Sequence, residues 1–167
     1  MSSSLPSPTS VMPGIPEGMQ ALLTAFIRLQ RVSDAAADRL AKACDVPVSD
    51  LRALVYAAGG SGITPKDLGR ELGLTSGSVT VLIDRMERND WVRRAPHPTD
   101  RRSAIVEVTG LGQQLVTEIA GVWVGAFTTV VAPADTPLIA HALKSMADAL
   151  VQLDVADVVG ATASQSS

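Results

Sequence analysis

Between Thr64 and Asn89 the sequence specifies two short helices and the turn between them, and every fold open to the chain must accommodate that pair. Thr64-Pro65-Lys66-Asp67 supplies a hydroxyl N-cap, a proline at the first helical position, where no N–H is needed, and an acid in the first turn. The helix so begun buries Leu68 and Leu72 and stops at Gly73. Thr75 caps a second helix, expected from about Ser76 to Asn89. Two short helices joined by a tight glycine-containing turn form a helix-turn-helix pattern.

Longer helical patterns flank this pair. From about Glu17 to Ala43, Leu22, Phe26, Leu29, Ser33, Ala36 and Leu40 recur at three- and four-residue steps, and Leu23, Ile27 and Val32 widen the stripe. A further helix over Val48 to Ala58 stops at Gly59-Gly60-Ser61-Gly62. Beyond the pair, strand-like runs at Trp91 to Ala95 and Ser103 to Val108 enclose Pro96-His97-Pro98-Thr99-Asp100-Arg101-Arg102, whose prolines favour a projecting loop. Helix resumes from Thr109 to about Val131, is broken by Pro133 and Pro137, and returns from about Leu138 to Val155. The fold class is mainly α with a small β-hairpin wing. Its expected divisions are a flexible arm over 1–16, a dimerisation helix over 17–47, a winged helix-turn-helix lobe over 48–110, C-terminal dimerisation helices over 111–157 and a flexible tail over 158–167.

Composition removes several function classes. With 46% apolar and 19% charged residues in 167, the chain is core-forming rather than disordered. A net charge of −3 excludes an overall basic coat for nucleic acid, though not a local basic patch. One cysteine makes no intrachain disulfide, and the two histidines, His97 and His141, join no cluster with ligand spacing, so neither metal nor cofactor is expected. Aromatics at 3% leave few platforms for stacking single-stranded bases. The Ser/Pro-rich start lacks the charged and apolar segments of a signal peptide. Ile119 to Ala132 is apolar but shorter than the roughly 20 residues of a bilayer span. It reads as a buried helix or a subunit contact, and the chain as cytoplasmic. No nucleophile motif, phosphate-cradling loop or carboxylate pair suggests an enzyme.

In the second helix of the pair, Val79, Leu82, Ile83 and Met86 form the packed face. Gly77, Val81, Asp84 and Arg88 lie opposite, flanked by Ser78, Thr80 and Arg85. A major groove admits one helix, with N-terminal residues at base edges and later cations at phosphates. Gly77 would permit close approach, and Ser76, Ser78 and Thr80 could bond bases or phosphates. Val81, apolar in a water-facing stripe, is either a thymine-methyl contact or a singly exposed valine. Asp84 opposes phosphate unless Arg88 neutralises it.

Across Arg85 to Arg102, six arginines face Glu87, Asp90 and Asp100, a local balance of +3 that leaves −6 for the rest of the chain. Such asymmetry suits a protein that turns one edge to a polyanion. Arg93, Arg94, Arg101 and Arg102 bracket the hairpin. Asp100 either holds Arg101 or Arg102 ready for a minor groove or is a plain turn-forming residue.

From Leu51 to Gln114 the chain resembles the MarR-type winged helix-turn-helix transcription regulators. The resemblance runs through Ile63-Thr64-Pro65-Lys66-Asp67-Leu68-Gly69, Leu74-Thr75-Ser76-Gly77-Ser78-Val79-Thr80 and Asp84-Arg85-Met86-Glu87. It continues in Trp91-Val92-Arg93-Arg94, Pro98-Thr99-Asp100-Arg101-Arg102-Ser103 and Val108-Thr109-Gly110-Leu111-Gly112. It implies a homodimer on a near-palindromic double-stranded operator, usually a repressor relieved by a small ligand or oxidant. By position it implies that Thr75, Ser76, Gly77, Ser78, Thr80 and Val81 lie near the bases, with Arg85, Arg94 and Arg101 in the DNA-binding set. Arg102 takes the minor-groove position and Asp100 that of its positioning partner. Members often carry a basic residue where Val81 stands and glycine where Asp90 stands, which points to a different base preference and a shifted helix end. The family's terminal helices interleave in the dimer. From Leu111 to Ser167, one lysine, Lys144, meets Glu118, Asp135, Asp148, Asp154 and Asp157, so that region should avoid DNA.

Two features bear on control. Gly121 and Gly125 sit four residues apart beside Trp123 and Phe127, and each interior glycine costs roughly 1 kcal/mol against alanine. Close helix packing or room for an effector would offset that cost. Cys44 is either a redox sensor or a small buried or half-buried thiol. A protein-binding winged helix without ligand gating is the remaining alternative.

Overall fold

In a computed structural model of the chain, the structure describes residues 14–99 and 103–153. The element order is α1 (Glu17–Ala43), α2 (Val48–Ala58), α3 (Pro65–Leu72), α4 (Ser76–Arg88), β1 (Val92–Pro96), β2 (Ala104–Val108), α5 (Gly110–Thr128) and α6 (Thr136–Val151). It is a mainly helical fold with one antiparallel hairpin, β1 paired to β2 with Val92 opposite Val108 and Pro96 opposite Ala104. Two compact units divide the chain, Met1–Thr117 and Glu118–Ser167.

The first unit is built around Ala53, Leu54, Leu68, Val79, Leu82, Ile83, Met86, Val92 and Val106. The apolar period of α4 puts Val79, Leu82, Ile83 and Met86 into this core, which is where the sequence pattern places them. Before α3, Thr64 and Asp67 close a capping box. The Asp67 N–H donates to Thr64 Oγ1 at 3.2 Å, and the Thr64 N–H donates to Asp67 Oδ2 at 3.0 Å. The Thr64 hydroxyl, with its own 2.6 Å bond to Asp67 Oδ2, is the main reason that carboxyl titrates below its ordinary range. The capping contribution is therefore complete at neutral pH and is lost as pH falls through the lowered value. Gly73, at φ 64°, ends α3 in the left-handed region and turns the chain into α4.

α4 ends where expected despite its non-glycine terminus. Asp90 takes φ 54°, and the N–H groups of Asp90 and Trp91 bond the carbonyls of Glu87 and Met86 at 3.0 Å each. This is a Schellman closure with aspartate in the glycine position, so the helix end is not shifted. Asp45, at φ 55°, closes α1 in the same way, with Val46 N–H on Ala41 O at 2.9 Å. Cys44 is the C-cap residue just before that turn and is exposed, not buried or half-buried.

Other boundaries differ from expectation for local reasons. Pro96 belongs to β1 rather than to the loop. It is the last residue of the strand, and the ladder continues past it with His97 N–H on Ser103 O at 3.1 Å. α5 stops at Thr128, short of Val131. The hydroxyls of Thr128 and Thr129 bond the carbonyls of Val124 and Ala126 at 2.9 and 2.7 Å, competing with the helix ladder in a β-branched run. Pro137 starts α6 instead of interrupting the chain before it, because the first turn requires no proline N–H.

The hairpin is tied to its neighbours at both ends. Val106 N–H bonds Ile63 O at 2.8 Å, and Thr109 N–H bonds Trp91 O at 3.0 Å. Thr109 Oγ1 also accepts from Gly112 N–H at 3.1 Å, capping α5 while it donates to Asp90 O at 2.5 Å. A Cβ at Gly112 would lie 2.1 Å from the Trp91 carbonyl oxygen and 2.9 Å from Val108 Cγ1. Gly112→Ala should therefore destabilise the first unit by about 1–3 kcal/mol, the usual cost of forcing atoms into a packed site. Urea denaturation, read as a fall in midpoint at unchanged slope, checks it.

Candidate nucleic-acid interface

The exposed side of α4 carries the residues on which the sequence reading centred. Thr75, Ser76, Gly77, Ser78, Thr80 and Val81 are all exposed, opposite the buried face, and Val81 has 58% of its surface open. A recess of about 560 Å³ borders this side, lined by Ser49, Leu74, Thr75, Gly77, Ser78, Val81, Leu82 and Arg85. Thr75 is the N-cap of α4, accepting from Ser78 N–H at 3.3 Å.

Arg85 has a partner the linear sequence conceals. Its Nε donates to Asp50 Oδ2 at 2.5 Å, and a second guanidinium nitrogen bonds Asp50 Oδ1, making a two-pronged pair. Asp50 lies in the first turn of α2 and is fully buried, while a third of the Arg85 side chain is exposed. Ser49 Oγ adds a 3.0 Å hydrogen bond to Asp50 Oδ1. The bond to Asp50 raises the pKa of Arg85 above its ordinary value, so the guanidinium stays charged at every physiological pH. An isolated buried carboxylate costs several kcal/mol of desolvation, which only close pairing and hydrogen bonding offset. The sequence positions Arg85 at phosphate; in the structure its fork holds α4 to α2.

Arg94 is likewise engaged within the protein. Its backbone N–H donates to Glu87 Oε1 at 2.7 Å, its guanidinium bonds the other oxygen of Glu87, and NH2 bonds Asp84 Oδ1 at 2.6 Å. Arg94, and not Arg88, thus neutralises Asp84; Arg88 Nε donates to the Asp84 backbone carbonyl at 3.3 Å. Arg93 pairs across the hairpin with Glu107 at 2.7 Å. The excess of arginine counted from Arg85 to Arg102 is therefore smaller in space than in sequence, because Asp50, Asp84 and Glu107 enter from outside that window. Asp100, Arg101 and Arg102 lie outside the described residues.

The expected effector positions are not drawn together by close packing within the chain. A Cβ at Gly121 or Gly125 would meet no heavy atom within 4 Å. Trp123 faces Phe127 with ring centroids 5.9 Å apart. Val122, Val124, Phe127 and Val130 are exposed, so this apolar run is not a buried helix within the chain. A recess of about 710 Å³ lies elsewhere, among Ala57, Ala58, Gly60–Gly62, the inner hairpin and Gln113. Among the described residues no helix is long and apolar enough to cross a membrane, and no group of three potential ligand side chains could hold a metal ion.

Residues 45–103 match the model of the MarR family. Over 65 residues the chain is 31% identical to the multiple antibiotic resistance protein MarR of Escherichia coli, covering 39% of this chain and 45% of that protein. Over 44 residues it is 43% identical to the uncharacterized HTH-type transcriptional regulator YcgE of Bacillus subtilis, covering 26% of this chain and 29% of that protein. These matches span less than half of either relative's length. In fold the chain is similar to AbsC, a MarR family transcriptional regulator of Streptomyces coelicolor, at 20% identity and TM-score 0.61, covering 85% of this chain and all of that one. It is also similar to MepR of S. aureus in a MepR–DNA complex, at 20% identity and TM-score 0.51, covering 76% of this chain and 98% of that one.

The buried pair between Asp50 and Arg85 has a measurable consequence. Arg85→Ala leaves the Asp50 carboxylate buried without its partner and should cost about 3–5 kcal/mol. Arg85→Lys should cost less, since it keeps the charge but loses the planar fork. Chemical denaturation of the two variants against the parent checks both the size and the order.

Proposed function

We propose that the chain is a homodimeric transcriptional regulator that binds double-stranded DNA sequence-specifically, acting as a cytoplasmic repressor released by a small aromatic or lipophilic ligand. The observation that carries the DNA reading is the exposed N-terminal half of α4, a helix free of charged side chains there and in contact with the β1–β2 hairpin at its other end; in the sequence Arg101 and Arg102 fall between the two strands. MepR, with the same fold, forms a complex with DNA, which supports a duplex as the partner. The motifs of a regulator, without those of an enzyme, support control rather than catalysis.

Dimer formation is supported by apolar side chains left open to water. On α1 these are Met19, Leu22, Ile27, Leu29 and Val32; on α6 they include Leu138, Leu143, Leu150 and Val151. Apolar surface of this extent is ordinarily covered by a partner. A dimer would present its two α4 helices to successive major grooves about 34 Å apart, matching a near-palindromic site. The negative balance beyond Leu111 keeps the terminal helices off the phosphates.

Operator fragments selected from genomic DNA should bind with a Kd on the order of 10⁻⁸ to 10⁻¹¹ M, weakening steeply with salt. Arg102→Ala should lose roughly 1–3 kcal/mol of that affinity. Fluorescence anisotropy with light scattering on the same sample checks both claims. A strictly monomeric protein, or equal affinity for random duplexes, contradicts the proposal.

A further inference from the structure

We infer that the first half of α4 specifies thymine, through contact of Val81 and the Thr80 methyl group with C5 methyls in the major groove. The inference rests on the reading of α4 as the helix that enters the groove.

Each base edge in the major groove calls for particular side chains. Guanine is read by Arg or Lys and adenine by Asn or Gln, whereas the thymine methyl is met by an apolar group. Residues 75–83 contain no Arg, Lys, Asn or Gln. Of the guanidinium groups that follow on the lobe, Arg85 is held by Asp50 and Arg94 by Asp84 and Glu87, while Arg88, in the last turn of α4, donates Nε to the Asp84 carbonyl.

The hydroxyls of this segment are largely engaged as well. The Thr75 and Ser78 oxygens lie 2.9 Å apart in a mutual hydrogen bond, and Thr75 Oγ1 also caps the helix. Thr80 Oγ1 donates to Ser76 O at 3.0 Å, so that oxygen can only accept further bonds, and its methyl is the group left to meet apolar surface. Beside it, Val81 is 58% exposed in the middle of the outward stripe. One turn earlier a Cβ at Gly77 would meet nothing within 4 Å, so no side chain holds the groove wall away. The thymine methyl is the one apolar substituent on the major-groove edges. It supplies the cover that Val81 lacks, and Ser76 Oγ remains compatible with any base.

The test begins with selection of a duplex from a random-sequence library by the full-length protein. Thymines in the selected duplex are then replaced one at a time by deoxyuridine, which removes only the methyl. In each half-site one or two replacements should weaken binding about fourfold, the value of a single buried methyl group. Val81→Ala, at an exposed position that leaves the core intact, should bind the thymine and deoxyuridine duplexes equally at one of those positions. Thr80→Ser should do the same at a neighbouring one. Neutral deoxyuridine replacements throughout, with loss of affinity on 7-deazaguanine substitution instead, would overturn the inference while leaving sequence-specific binding in place. Failure of any duplex to be enriched would overturn the reading of α4 itself, and the inference with it.

Discussion

The pair between Asp50 and Arg85 is the contact on which the packing of α4 against α2 depends. A carboxylate at zero exposure, in the first turn of one helix, is offset chiefly by a guanidinium from another helix that meets both of its oxygens, with the Ser49 hydroxyl adding one bond. Geometry adds to charge here. A planar fork fits a carboxylate in one orientation, so the pair sets the rotation and depth of α4 against α2 as well as its distance. The core side chains Val79, Leu82, Ile83 and Met86 would tolerate small sliding motions that the fork does not.

Further contacts extend that rigid frame to the hairpin. Arg94 grips Glu87 through backbone and side chain together and reaches Asp84, binding the first strand to the outer side of α4. Behind the strands, α5 approaches so closely at Gly112 that the Trp91 carbonyl occupies the space of a side chain. The left-handed turn at Asp90 sends the chain from α4 into β1. α4 and the hairpin are thus joined by contacts whose charges largely balance. The exposed start of α4 carries uncharged residues only, and it is this surface that the proposed function assigns to base recognition.

Much of this was legible in the residues because it depends on local chemistry. A capping box, a proline at the first helical position and a glycine in the left-handed region punctuate α3, and the apolar spacing in α4 identifies its buried side. The ion pairs were hidden for the opposite reason. Asp50 precedes Arg85 by 35 positions, and no periodicity links them; the visible signal was only an acid in register with the apolar face of its own helix, four residues before Leu54. The arginine count near the hairpin misled because charge is balanced in space and not along a window. Asp90 shows a related limit: the missing glycine suggested a displaced helix end, but the two Schellman bonds hold the turn at the cost of a strained aspartate. At the end of α5, back-bonding threonines stopped a helix that apolar content alone would continue.

The central claim is that the N-terminal half of α4 lies in the major groove of a specific duplex, held there by its buried anchor. Because Cys44 is the sole cysteine, Cys44→Ser combined with Val81→Cys places one photo-activatable cross-linker on the outward face of that helix. Cross-linking to the selected duplex should occur at major-groove atoms of two symmetric positions about one helical turn apart, and a label moved to the exposed Asp148 of α6, outside the apolar set assigned to the dimer, should give none. Equal labelling from both sites, or none from position 81 on a duplex the protein binds tightly, would contradict the account.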